Sequence, residues 1–150
     1  MSTPAQRRLK MRKMLFVFLL GLIAISIFLA VRQDTPWLVP EAEKFRRNPL
    51  VPSAESINTI REIYLKDCAE CHGESGRGDG TKAAKYNPPP VDFTDPARLD
   101  ALTDGELFYK ISEGRRPMPA FKNRLTEEQR WQLVLLIRAF AHPAPALGNR

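Results

Sequence analysis

Two thiols and an imidazole stand within five residues, in Cys68-Ala69-Glu70-Cys71-His72. The chain has 2 cysteines in all, so a disulfide scaffold is excluded and the pair is read by its spacing. Thiols three positions apart lie about one helical turn from each other. That separation suits addition to the two vinyl groups on one edge of a porphyrin. The histidine next in line then offers a ring nitrogen to the iron, which makes C-x-x-C-H the attachment pattern of c-type haem. Rival chemistries are served less well. A redox C-x-x-C belongs in a βαβ setting. A closed zinc site would need Cys68, Cys71, His72 and the distant His142, with two of its ligands adjacent in sequence.

A haem iron has a second axial position to fill. Of the 4 methionines, Met1, Met11 and Met14 lie in or beside the basic N-terminal tail. Met118 sits instead in Arg116-Pro117-Met118-Pro119-Ala120-Phe121. The flanking prolines fix two φ angles and remove two N–H donors. Such a setting is poor for a core filler and good for a rigid ligand. The rival sixth ligand is His142, beside Pro143 after the last helix. His72 and Met118 are therefore the expected metal ligands, a pair known in cytochromes c. No residue is assigned a catalytic role.

Three helices must position these groups. The first is expected from about Ser56 to Cys71, with Ile57, Ile60, Ile63 and Tyr64 forming an apolar stripe. The second starts at the capping box Thr103-x-x-Glu106 and stops at Gly114. The third starts at Thr126-x-x-Gln129, carries Trp131, Leu133, Val134, Leu136, Ile137 and Phe140, and ends before Pro143. No run alternates like a strand beyond a few residues. Between the first two helices lie nearly 30 residues containing Gly73, Gly76, Gly78 and Gly80, then Pro88, Pro89 and Pro90. A phosphate-cradling reading of those glycines fails, because no strand precedes them and no Lys-Ser/Thr follows. A loop of that length needs something to wrap around.

The N-terminus reads differently. Leu15 to Val31 is uncharged, about 25 Å as a helix and just enough to cross a thin bilayer. Five basic residues precede it, which keeps the N-terminus in the cytoplasm. Trp37, Pro36 and Pro40 suit an interfacial exit. The competing reading is a cleaved signal peptide, whose apolar region would be shorter and would end in a small-x-small site. Both readings export the remainder. The net charge of +6 resides in this segment, since residues 1–32 carry Arg7, Arg8, Lys10, Arg12, Lys13 and Arg32 and no acid. The rest of the chain sums to zero, which argues against a nucleic-acid partner. The expected organisation is a basic tail (1–13), a transmembrane anchor (14–32), a Pro-rich linker (33–54), a haem domain (55–142) and a C-terminal tail (143–150). Trp37, Leu38, Phe45 and Leu50 are odd choices for a free linker, whereas Arg46 and Arg47 read as a solvated pair.

Over residues 41–142 the chain resembles bacterial, membrane-anchored class I monohaem cytochromes c. The resemblance rests on Tyr64-x-x-x-Cys68-x-x-Cys71-His72-Gly73, the Gly76–Gly80 loop, Asp104-Gly105-Glu106-Leu107-Phe108, Met118-Pro119-Ala120-Phe121 and the Trp131 helix. It implies an all-α, cytochrome c-like domain around one haem c, attached covalently through Cys68 and Cys71. It also implies a proline carbonyl, from Pro88, Pro89 or Pro90, accepting a hydrogen bond from His72. The expected apolar wall includes Val91, Phe93, Leu99, Leu102 and Phe121. One departure is that the family often places glycine where Ile60 stands and an aromatic where Leu136 stands. Two medium aliphatics would conserve the volume of that small-plus-large pair.

An iron held by both His72 and Met118 offers no open position, so electron transfer is expected rather than catalysis, with no small-molecule substrate. The partners implied are the membrane and redox proteins of a respiratory chain. The chain would serve as a tethered shuttle or as a subunit of a larger complex, such as alternative complex III or a terminal oxidase, at the outer face of the cytoplasmic membrane. The alternative is a haem enzyme or a gas or redox sensor in which Met118 leaves the iron. Arg115 and Arg116 beside the ligand loop read as a solvated pair, or as a means to steer an acidic partner or meet a haem propionate.

Overall fold

The computed structural model describes residues 4–33 and 36–143. The chain divides into two compact units, Met1–Leu38 and Val39–Arg150. The first is dominated by helix α1, Pro4–Gln33. Proline suits its first position, where an N–H would find no partner within the helix. Within α1, Gln6–Phe28 forms a stretch long and apolar enough to cross a membrane. The basic tail is thus helical from Pro4 and continuous with the apolar run.

The second unit holds α2 (Glu41–Lys44), α3 (Ala54–Asp67), α4 (Ala69–His72), a single 3₁₀ turn (Ala83–Lys85), α5 (Pro96–Asp100), α6 (Asp104–Glu113) and α7 (Glu127–Ala141). Among the described residues there is no strand, only an isolated bridge between Arg115 and Met118. Both expected capping boxes form. Thr103 accepts from Glu106 N while the Glu106 side chain accepts from Thr103 N, and Thr126 and Gln129 do the same for α7. The first helix departs from expectation at both ends. A Ser53–Ser56 capping box starts it at Ala54, and it breaks at Cys68, whose φ of −122° interrupts the helix before α4. Asp95 caps α5 with Pro96 at its first position, an Asp-Pro start that apolar periodicity does not reveal.

The core lies where α3, α6 and α7 meet. Ile60 and Tyr64 of α3 pack with Leu107, Phe108 and Ile111 of α6 and Trp131, Leu133, Val134, Leu136 and Ile137 of α7. Ile60 and Leu136 are 1% and 2% exposed, and both belong to this core. Arg138 ties α7 to the chain entering α6. Its guanidinium donates to Asp104 at 2.9 Å and to the carbonyls of Leu99 and Leu102 at 2.5 Å each.

The Pro-rich segment behaves unlike a spacer. From Val39 it is part of the folded domain, and residues 39–50 form a strap across α6 and α7. Val39 is buried and Leu50 packs against the core. Asn48 Nδ2 donates to Trp131 O at 3.1 Å. Arg46 is not a solvated charge. Its guanidinium lies 4.5 Å from the Phe108 ring centre and 5.3 Å from that of Trp131, and it pairs with Glu43 at 3.1 Å and Glu127 at 2.6 Å. Beneath it Phe108 and Trp131 are stacked at 4.0 Å. The strap approaches α6 so closely that a Cβ on Gly105 would collide with the carbonyl of Glu43. Glycine is required there by backbone contact rather than by conformation.

Gly105→Ala is therefore expected to destabilise the protein by about 1–3 kcal/mol, the usual scale of overpacking, read from denaturant unfolding. In the same assay Ile60→Gly and Leu136→Tyr should each destabilise. Their combination should cost less than the two together by more than about 0.5 kcal/mol. Simple additivity would show that the two positions do not compensate one another.

Candidate functional site

The C-x-x-C-H residues form one isolated helical turn. Cys71 N and His72 N both donate to Cys68 O, at 3.1 and 2.9 Å. The glycine-rich loop then folds back along this turn. Gly78 N donates to His72 O at 2.8 Å, Gly80 N to Cys71 O at 3.2 Å and Lys82 N to Glu70 O at 2.8 Å. The carbonyls at the end of α4, which a helix cannot satisfy itself, are thereby paired. A Cβ on Gly80 would collide with the Glu70 and Ala69 carbonyls, so this return path is open only to glycine. The long loop thus wraps around the turn itself.

The other side of the turn is fixed by α3 and α7. Buried Tyr64 donates its hydroxyl to Gly73 O at 2.8 Å, and its ring meets Phe140 at 5.2 Å. Phe140 in turn covers Gly76, where a Cβ would clash with the ring. Burial, the largest cause, pushes the Tyr64 phenol well above its ordinary value.

Within this frame His72 is oriented as a ligand should be. Its Nδ1 faces Val91 O at 3.4 Å, and its ring stacks on Phe93 at 4.5 Å and 15°. With the proton on Nδ1, the other nitrogen keeps a free lone pair. Burial lowers the imidazole pKa, and the Val91 carbonyl only partly offsets that shift. The neutral, metal-binding form is the one favoured. The acceptor is a correction to the expectation of Pro88, Pro89 or Pro90. The Pro90 carbonyl is turned against Gly78, where a Cβ would collide with it, and the next carbonyl along meets the ring.

Both thiols are unpaired and half-buried. Burial, reinforced by Asp67, pushes the Cys68 thiol up to about 12. Reactive redox cysteines are depressed instead. Among the described residues no three His, Cys, Asp or Glu side chains gather as a metal cluster. His142 is instead paired with Asp100 at 2.8 Å, so the four-ligand zinc arrangement does not assemble.

Met118 is half-buried against the core, in a loop closed on itself and on the end of α6. Met118 N donates to Arg115 O at 2.9 Å. Phe121 N bonds the carbonyls of Ile111 and Ser112 at 3.1 Å, as Lys122 N does that of Ser112. Gly114, with φ +60°, lets the loop turn off α6, and a Cβ there would strike the Pro119 backbone. Phe121 is 3% exposed and roots the loop. Sequence reasoning passed over Arg130, which donates to the Ser112 hydroxyl with its guanidinium 4.7 Å from the Phe108 ring centre. Nothing local marks that contact, because it joins residues on two helices. Val91 and Leu102 are half-buried, and Phe93 and Leu99 are buried, in the same core cluster. The donor set of two thiols, one preset imidazole and one thioether fits a c-type haem.

Three comparisons bear on this geometry. The family model described as cytochrome c oxidase, cbb3-type, subunit III matches residues 55–137. Two curated proteins named cytochrome bc1 complex cytochrome c subunit are similar. That of Corynebacterium efficiens is 23% identical over 126 residues, 78% of this chain and 40% of the relative. That of Corynebacterium diphtheriae is 26% identical over 89 residues, 59% of this chain and 28% of the relative. The chain thus spans less than half the length of these curated relatives. Among solved structures, a chain of the Kuenenia stuttgartiensis reducing HAO-like protein complex superposes with a TM-score of 0.52. It is 26% identical, over 67% of this chain and 54% of that one.

Tyr64→Phe should cost about 1 kcal/mol at neutral pH by removing the bond to Gly73. The pH dependence has a definite sign. The folded state holds the Tyr64 proton above the ordinary tyrosine pKa of about 10, so its contribution is complete below that value. It is lost as pH rises further, because the unfolded chain ionises first. Urea unfolding of the haem-loaded protein between neutral pH and pH values above about 10 should show a steeper alkaline decline in the unsubstituted protein than in Tyr64→Phe.

Proposed function

The chain belongs to the cytochrome c family and carries covalent haem c, and from that premise we propose that it relays single electrons between respiratory partners at the outer face of the cytoplasmic membrane. The observation that carries the reading is the preset His72. Its ring is stacked, half-buried and turned with Nδ1 toward a backbone carbonyl, as an axial ligand requires. Cys68 and Cys71 would hold the haem covalently, and His72 and Met118 would take the two axial positions. When bound, haem c supplies a one-electron iron couple, whose potential a His/Met pair raises.

The rest is the work of the chain. The Val91 carbonyl retains the Nδ1 proton and so directs the other nitrogen outward. The proline-flanked loop presents the Met118 thioether, and Phe93, Leu99 and Phe121 exclude water. Committing both His72 and Met118 leaves no position for dioxygen or peroxide, which favours a carrier over an enzyme. The apolar helix with its basic N-terminal turns, one such helix among the described residues, supports a single-pass anchor, N-terminus in the cytoplasm and haem domain outside. The relatives' name, cytochrome bc1 complex cytochrome c subunit, supports a place in a larger respiratory complex over a free shuttle.

Optical spectra of purified protein, oxidised, reduced, and reduced under carbon monoxide, test the reading. Expected are a c-type pyridine haemochrome, a far-red Met–iron band on oxidation, and no response to carbon monoxide. Met118→Ala should abolish the far-red band, admit carbon monoxide and lower the potential. A carbon monoxide response in the unsubstituted protein would instead point to a sensor or enzyme in which Met118 is displaced.

A further inference from the structure

The stretch from Cys68 to Phe121 contains every residue assigned to the haem, and one ion pair brackets it. Asp67 immediately precedes Cys68 and is the last residue of α3. Arg124 follows Phe121 by three residues. Arg124 NH2 donates to Asp67 Oδ1 at 2.7 Å. The Asp67 side chain is only 14% exposed, against 53% for Arg124. This differs from a mobile surface pair, since the carboxylate has given up most of its water and needs its partner.

Arg124 is also firmly mounted. Its guanidinium lies 5.1 Å from the centre of the Phe121 ring, and Arg124 N donates to Phe121 O at 2.9 Å. Phe121 is itself bonded to the carbonyls of Ile111 and Ser112 at the end of α6. A continuous path of contacts therefore runs from the root of the Met118 loop, through Phe121 and Arg124, to Asp67, the residue immediately before the cysteine motif. Other ties of the Met118 loop run to α6 and within the loop.

We propose that Arg124, through Asp67, is a positioning residue that braces the Met118 loop against the C-x-x-C-H turn and so keeps the thioether on the iron. The proposal rests on Met118 being the sixth ligand. Arg124 acts through its contacts with Asp67 and Phe121, so its effect is on how readily Met118 departs.

The test uses the full-length, haem-loaded protein in detergent, with Arg124→Gln, Arg124→Lys, Asp67→Asn and the Asp67→Asn/Arg124→Gln double variant. The readouts are the far-red band of the oxidised form and carbon monoxide binding to the reduced form, with unfolding curves to verify that each variant is folded. Arg124→Gln and Asp67→Asn should each weaken the far-red band and raise carbon monoxide affinity about tenfold, which corresponds to about 1.4 kcal/mol. The double variant should be no worse than either single one, and Arg124→Lys should restore most of the band. A band and carbon monoxide response unchanged in Arg124→Gln would overturn the brace alone. So would opposite shifts that cancel in the double variant, the mark of through-space charge without positioning. Absence of the far-red band from the unsubstituted protein would overturn the Met118 assignment and the brace with it.

Discussion

A single helical turn must hold two thiols and an imidazole ready for one flat ligand, and four residues cannot do this unaided. Backbone bonds from Gly78, Gly80 and Lys82 to the carbonyls of His72, Cys71 and Glu70 provide what the turn lacks. They satisfy carbonyls that would otherwise be orphaned at the end of so short a helix. They also commit the following chain to a path that returns past the histidine. Much of the domain follows from that path. It brings Val91 to Nδ1 and Phe93 onto the ring, and it explains why half of the chain's 8 glycines fall between residues 73 and 80.

Around this turn the packing is arranged as layers of support. Tyr64 and Phe140 press the loop from the side of α3 and α7. On the far side of α6 the strap, Arg46, Phe108 and Trp131 fix the helix from which the Met118 loop departs. The His72 turn and the Met118 loop, proposed to carry the two ligands, lie some fifty residues apart in sequence, yet each is rooted in elements that share one apolar core. A carrier that changes charge without changing shape benefits from such rigidity, because little has to reorganise around it.

The sequence was most legible where its signals were local. The C-x-x-C-H spacing, the Thr103 and Thr126 capping boxes and the proline-flanked Met118 each depend on neighbours within a few positions, and a single chain displays them directly. The losses were of three kinds. Ser53 was missed as a cap because its reciprocal partner is Ser56 rather than the usual Glu or Gln. Arg46, Gly105 and Arg130 were misread or passed over because their meaning is long-range. A guanidinium looks solvated until the two rings beneath it arrive from elsewhere in the chain. Likewise, a proline-rich stretch looks like a spacer until a glycine on a distant helix gives it a groove. Val91 belongs to a third, smaller kind, in which three successive prolines mark the segment and the carbonyl that faces the His72 ring is the next one.

Helix α1 carries a consequence of its own. Its 30 residues make a rod of about 45 Å, whereas a hydrocarbon core is about 30 Å thick. The surplus includes the two turns bearing Arg7, Arg8, Lys10, Arg12 and Lys13, whose spacing distributes positive charge around the whole circumference rather than along one face. A rigid collar of this kind acts as a stop. It resists being drawn into the oil, and it attracts anionic headgroups at about 1 kcal/mol for each basic side chain near the surface. As an anchor, a helix so built would have its depth set by the lipid charge of one leaflet as well as by the length of its apolar run, and a membrane poor in anionic lipid would leave it free to rise and tilt.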